Sequence, residues 1–150
     1  MRALIVVLGL MSAPAWAQVT VENPWARATP PGAKIAAGYM TIRNASATPD
    51  RLVAVSSPAA ALVQTHVTVK DGDMLRMREV KGYAIPANGS FELKPGGPHL
   101  MFVNIKAPFK EGDRIPAVLK FERSGEIKTE FHVGAVGATG ADQGADHHGH

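Results

Sequence analysis

The sequence predicts an all-β domain, a two-sheet sandwich or Greek-key barrel, and two observations carry that expectation. Short apolar or alternating segments recur along the chain, and explicit turn signals punctuate them. The 150 residues also include 15 glycines and 11 prolines, a rich supply that suits many tight turns and argues against a bundle of long helices.

Taken in order, strands are expected over 19–21, 38–43, 51–55, 62–69, 74–80, 91–93, 100–105, 118–121 and 127–133. After the opening Val-Thr-Val, the run Thr29-Pro30-Pro31-Gly32 turns the chain before the segment that holds Tyr39, Met40 and Ile42. Asp71-Gly72 separates the segments 62–69 and 74–80 and reads as a two-residue hairpin turn. Pro86-Ala87-Asn88-Gly89, Lys94-Pro95-Gly96-Gly97-Pro98 and Ser124-Gly125 mark the later turns.

Three stretches divide the chain. Residues 1–17 have the layout of a secretory signal: Met1-Arg2, an apolar run to Met11, and the small-x-small site Ala15-Trp16-Ala17. Ser12 and Pro14 interrupt the run short of the ~20 apolar residues a membrane span needs, so the mature protein is expected to start at Gln18, in a bacterial periplasm, with no membrane span. Residues 18–133 form the domain, enough chain for one core. Residues 134–150 are Gly- and Ala-rich, too poor in large apolar groups to order themselves, and end in His147, His148, Gly149 and His150.

Composition narrows the function. With no cysteine, the chain has no disulfide, thiolate zinc site, iron–sulfur cluster, blue-copper centre or catalytic thiol. The formal charge of +3, lowered by one when Arg2 leaves with the leader, is scattered among acids and offers no nucleic-acid face. No Gly-x-Ser-x-Gly elbow, HExxH or phosphate-cradling glycine loop appears, so the chain is not expected to be an enzyme.

What chemistry remains lies in histidine and methionine. An Asp71-Gly72 turn pairs Val69 with Met74 and so sets His66 opposite Met77, where cross-strand Cβ atoms stand ~4.5–5.5 Å apart. His99 and Met101 are two apart and leave an extended backbone on one face. Two imidazole–thioether pairs without carboxylate or thiolate suit Cu(I), since Mg, Ca and Mn want oxygen. Met40 shares a face with Ile42 and is expected in the core; Met74 is either buried or a spare sulfur near the site; His132 falls on the solvated face; Trp25 and Tyr39 are expected to anchor the sandwich. His147, His148 and His150, with Asp142 and Asp146, form a second candidate site, for Cu(II). The competing reading is a metal-free β-sandwich that binds a periplasmic protein or small ligand.

His66, Met77 and His99-Leu100-Met101 at this spacing resemble the signature of the PCu(A)C family of periplasmic copper(I) chaperones. Pro24-Trp25-Ala26-Arg27-Ala28-Thr29-Pro30-Pro31-Gly32, then Ala37-Gly38-Tyr39-Met40 and Asn44, are similar to the family's opening, and the similarity runs from about Asn23 to Val133. Many relatives carry an acid after the first histidine, where Val67 stands here. The resemblance implies a cupredoxin-like barrel that holds one Cu(I) through His66, Met77, His99 and Met101. It also implies delivery toward the copper subunit of cytochrome c oxidase, alongside Sco-type thiol proteins.

Overall fold

A computed structural model describes Gly9 and residues 18–135. Ten strands follow in order: β1 (Val19–Arg27), β2 (Ile35–Asn44), β3 (Asp50–Ser56), β4 (Ala60–Asp71), β5 (Met74–Glu79), β6 (Tyr83–Ile85), β7 (Gly89–Leu93), β8 (His99–Ile105), β9 (Arg114–Phe121) and β10 (Gly125–Gly134). Seven of them close a cupredoxin-like barrel in the order β4, β8, β2, β1, β10, β9, β3, with β3 returning to β4 through Val55 and Val63. The hairpin strand β5 extends from β4, β6 from β3 and β7 from β2. All pairings are antiparallel except β1 with β10. No helix among the described residues is long and apolar enough to cross a membrane.

Strand alternation builds the core. Leu100 and Phe102 of β8, Met40 and Ile42 of β2, Leu52 of β3, Leu119 of β9 and Phe131 of β10 point inward and are buried. Phe102 meets Phe109 and Phe131 edge-on, with ring centroids 5.3 and 5.6 Å away. Gly38 makes that packing possible, because a Cβ there would lie 2.8 Å from the Phe102 ring.

Several expectations are corrected at their edges. β1 runs on to Arg27 because Asn23, at φ 48°, absorbs a bulge between Glu22 and Trp25 and pairing with β2 resumes beyond it. β9 begins at Arg114 and passes through Pro116, which pairs with Glu130 of β10 beyond the span where β3 pairs with β9. β6 is a three-residue strand between Gly82 and Pro86. β10 continues through Gly134, which pairs with Arg27, one residue past the expected end of the domain.

One buried carboxylate locks the base of the barrel. Asp50 accepts hydrogen bonds from the backbone N–H of Arg51 (2.7 Å), Arg123 (2.9 Å) and Ser124 (3.1 Å), and from the Ser124 hydroxyl (2.6 Å). Burial alone would raise its pKa, but the Ser124 hydroxyl and the three backbone donors outweigh it and hold the carboxyl below the usual aspartate range.

Candidate metal site

The outer face of β5, β4, β8 and β2 carries the four predicted side chains. His66 of β4 lies directly across from His99 of β8, and Gln64 lies across from Met101. On the other side of β4, Met77 of β5 lies across from Thr68, and Glu79 across from His66. Even-numbered residues of β4 and odd-numbered residues of β5 and β8 share this face by the two-residue period, so the two imidazoles and two thioethers stand on one wall. The imidazole centroids are 5.5 Å apart.

The expected facing of His66 and Met77 is therefore corrected to a diagonal one. Asp71 pairs with Met74, so the central residues of the turn are Gly72 and Asp73, shifting the register by two. Gly72 has φ +62°, and a glycine at the first central position is what a type II′ turn takes, whereas Asp-Gly at the centre would need a positive φ at Asp as well. Because the shift is even, His66 and Met77 keep a common face. Met74 falls on the opposite face and is exposed, neither buried nor beside the histidines.

Each imidazole is tied by one nitrogen. His66 Nε2–H donates to the Gln64 carboxamide oxygen at 2.9 Å, and His99 Nδ1–H donates to the Gly97 carbonyl at 3.0 Å. That carbonyl also accepts from the Thr68 hydroxyl at 3.1 Å, joining the Lys94–Pro98 turn to β4. These bonds leave His66 Nδ1 and His99 Nε2 as neutral-ring acceptors. Both are buried and without a partner, and they are the side-chain nitrogens and oxygens so placed among the described residues. Buried polar atoms are ordinarily satisfied, so two orphaned lone pairs on adjacent rings point to a ligand.

Electrostatics favour the neutral form of the His66 ring. Burial, and then the neighbouring His99, hold His66 below the ordinary histidine pKa, with Glu79 pulling weakly the other way. Beneath the wall, Tyr83 is buried and its hydroxyl lies 2.6 Å from the His66 carbonyl and 2.8 Å from the His99 carbonyl. Its single proton is shared between them, which pins the backbones of the two histidines together; burial pushes the phenol pKa up.

Beside the histidines runs a cleft of about 220 Å³ lined by Met77, His99 and Met101 together with Leu75, Thr68, Tyr39 and Arg27, among others. Tyr39 stacks on Trp25 with centroids 4.5 Å apart, and the Arg27 guanidinium lies 5.7 Å over the Tyr39 ring. Trp25 and Tyr39 thus pack with each other on the outer wall, apart from the central core they were expected to anchor. Met40 is in the core and His132 is exposed, both as expected. His147, His148 and His150, with Asp142 and Asp146, lie outside the described residues, as does the leader.

Gln64, Tyr83, Thr68 and Arg27 were not singled out from the sequence. Gln64 was within reach of it, standing two residues before His66 on the same face. Tyr83 and Thr68 act through the β4–β8 pairing and the Gly97 turn, which local pattern does not reveal. No group of three or more His, Cys, Asp or Glu side chains among the described residues could hold a metal.

A closed cupredoxin-like barrel with an imidazole–thioether wall defines the class of protein. Residues 19–133 match the LpqE-like family model, and the chain belongs to that family. It is 34% identical over 104 residues to "Putative lipoprotein Lxx21020" of Leifsonia xyli subsp. xyli, covering 69% of this chain and 61% of that protein. It is 29% identical over 113 residues to "Uncharacterized protein RP573" of Rickettsia prowazekii, covering 73% and 62%. The chain therefore spans about three-fifths of the length of these relatives. Among solved structures, the copper-bound PCuAC domain from PmoF2 superimposes with a TM-score of 0.69 at 29% identity, covering 79% of this chain and 93% of that domain. The CuI-DR1885 solution structure from Deinococcus radiodurans does so with a TM-score of 0.64 at 31% identity, covering 85% and 83%. The resemblance to the PCu(A)C family carried by the motifs is borne out by these likenesses.

Proposed function

We propose that this chain is a periplasmic carrier of Cu(I), binding one ion per domain through His66, Met77, His99 and Met101 and releasing it by ligand exchange. The observation that carries the reading is the pair of buried, unpartnered nitrogens, His66 Nδ1 and His99 Nε2, on a wall shared with two thioethers. Gln64 and Gly97 already fix the other nitrogen of each ring, as outer partners of metal-bound histidines do. Neutral soft donors suit Cu(I). They also bind it less tightly than thiolates would, which suits delivery to a cysteine-bearing acceptor.

Similarity to a copper-bound PCuAC domain and to CuI-DR1885 supports the same reading. The signal-like leader and the lipoprotein name of a relative favour export. In this proposal the carrier is not an enzyme. Its acceptors are the copper subunit of cytochrome c oxidase and Sco-type thiol proteins, and His147, His148 and His150 take up Cu(II). Truncation after Ala135 then lowers Cu(II) uptake and leaves Cu(I) binding intact; unchanged Cu(II) stoichiometry rejects the role of the tail.

Titration with Cu(I) against a competing chelator tests the central claim. Near-stoichiometric binding that is lost in Met77→Ala/Met101→Ala supports it. Failure of the wild-type chain to take up Cu(I) would favour a metal-free binding module instead.

A further inference from the structure

The two histidines stand where their strands part. His66 and His99 are the last pair of the β4–β8 register. Past that pair β4 runs on beside β5 to Asp71, whereas on the other side β8 gives way to the Lys94–Pro98 turn. At such a fork the ladder holds the strands on one side only, so their separation depends on what bridges the gap. Two hydroxyls do so. Thr68 donates to the Gly97 carbonyl at 3.1 Å, and the Tyr83 oxygen sits 2.6 Å from the His66 carbonyl and 2.8 Å from the His99 carbonyl.

The fold delivers Tyr83 to this point with care. Its strand β6 pairs it with Leu52 of β3. The buried Thr65 hydroxyl donates to the Val80 carbonyl at 2.6 Å and accepts from the Gly82 N–H at 3.1 Å, tying the approach to Tyr83 against β4. The Tyr83 ring stacks on Phe91 with centroids 4.7 Å apart. Phenylalanine would fill the same space; the added oxygen reaches the backbones of both histidines.

We propose that Tyr83 is a positioning residue for copper, setting the separation of the His66 and His99 backbones before the ion arrives; this rests on the Cu(I) reading above. A binding constellation must be held to within about 0.5 Å of its productive geometry, and donors fixed in advance spare the cost of ordering them on binding. Tyr83 works from beneath, through two carbonyls, while the unpartnered His66 Nδ1 and His99 Nε2 remain the atoms that meet the ion.

The test uses the full chain and Cu(I) with a competing chelator. Tyr83→Phe keeps the ring and is expected to lower Cu(I) affinity about 10-fold, the lower end of what a partner outside the donor set contributes. Tyr83→p-aminophenylalanine, whose amino group has N–H bonds to offer both carbonyls, should recover most of that loss. Ile127→Ala, which loosens packing near the Ser124-Gly125 turn, should leave the affinity of the folded protein unchanged. Independently of any variant, backbone residual dipolar couplings of residues 64–68 and 97–101 should agree between the copper-free and Cu(I)-loaded wild-type chain. An unchanged affinity in Tyr83→Phe, an equal loss in Ile127→Ala, no recovery with the amino analogue, or a reorientation of these segments on loading would each overturn the role of Tyr83 while leaving the copper site standing. A wild-type chain that binds no Cu(I) overturns both.

Discussion

Two regions of the barrel treat their buried polar atoms in opposite ways. Around Asp50, four donors converge on two carboxylate oxygens. Across β4 and β8, His66 and His99 are each given one partner and denied a second. The first arrangement stabilises the fold, because every buried acceptor is used. The second leaves two lone pairs desolvated and unpaired, a cost of about 1–3 kcal/mol for each buried unsatisfied group. A protein keeps such a defect where a ligand repairs it.

Substitutions should separate the two regions, and the largest effect belongs to the sulfur donors. Met77→Ala/Met101→Ala is expected to weaken Cu(I) binding by about 1,000-fold, or about 4 kcal/mol, when measured against a competing chelator. Its thermal stability should barely move on account of Met77, which is 64% exposed. Asp50→Ala should do the reverse, with about 3 kcal/mol lost in urea unfolding as buried donors lose their acceptor, and Cu(I) affinity of the folded protein unchanged. A copper defect in the Asp50 variant would mean that the two regions are not independent.

Gln64→Leu removes the partner of His66 Nε2 while keeping the strand. A loss of about 10–100-fold in Cu(I) affinity is expected, the usual effect of an outer partner on a metal-bound histidine; an unaltered affinity would show that His66 needs no orientation.

The smallest effect distinguishes the regions by pH. His66 has a folded pKa below its unfolded value, so the stability it contributes as a neutral ring is present above about 6.5 and is lost as pH falls from there through the folded value. Asp50 is lowered too, but its contribution is present above about 3.9 and disappears only as the carboxylate is protonated below that. Unfolding of the copper-free chain followed against pH should therefore show two separate acid windows. Copper should widen the upper one, extending it to lower pH, since bound imidazole must stay neutral. A single window near the carboxylate range would remove His66 from the account.

Much of this is legible in the sequence alone. Alternation put His99 and Met101 on one face, and the hairpin put His66 on a common face with Met77. Parity survives a two-residue error in register, which is why the turn could be misread without moving a side chain to the wrong face. What escaped was what long-range pairing creates. Tyr83 sits in a strand too short to show a period, and its hydroxyl reaches carbonyls of two strands far away in sequence. β1 beyond Asn23 and β9 through Pro116 contain residues that locally argue against strands and are accommodated by a bulge and by a position past the end of a neighbour.

X-ray absorption at the copper edge of the Cu(I)-loaded chain is the most direct test of the central claim. Two nitrogen and two sulfur neighbours, with the sulfur signal lost in Met77→Ala/Met101→Ala, are the predicted result. A shell of nitrogen and oxygen alone in the wild-type protein would contradict it.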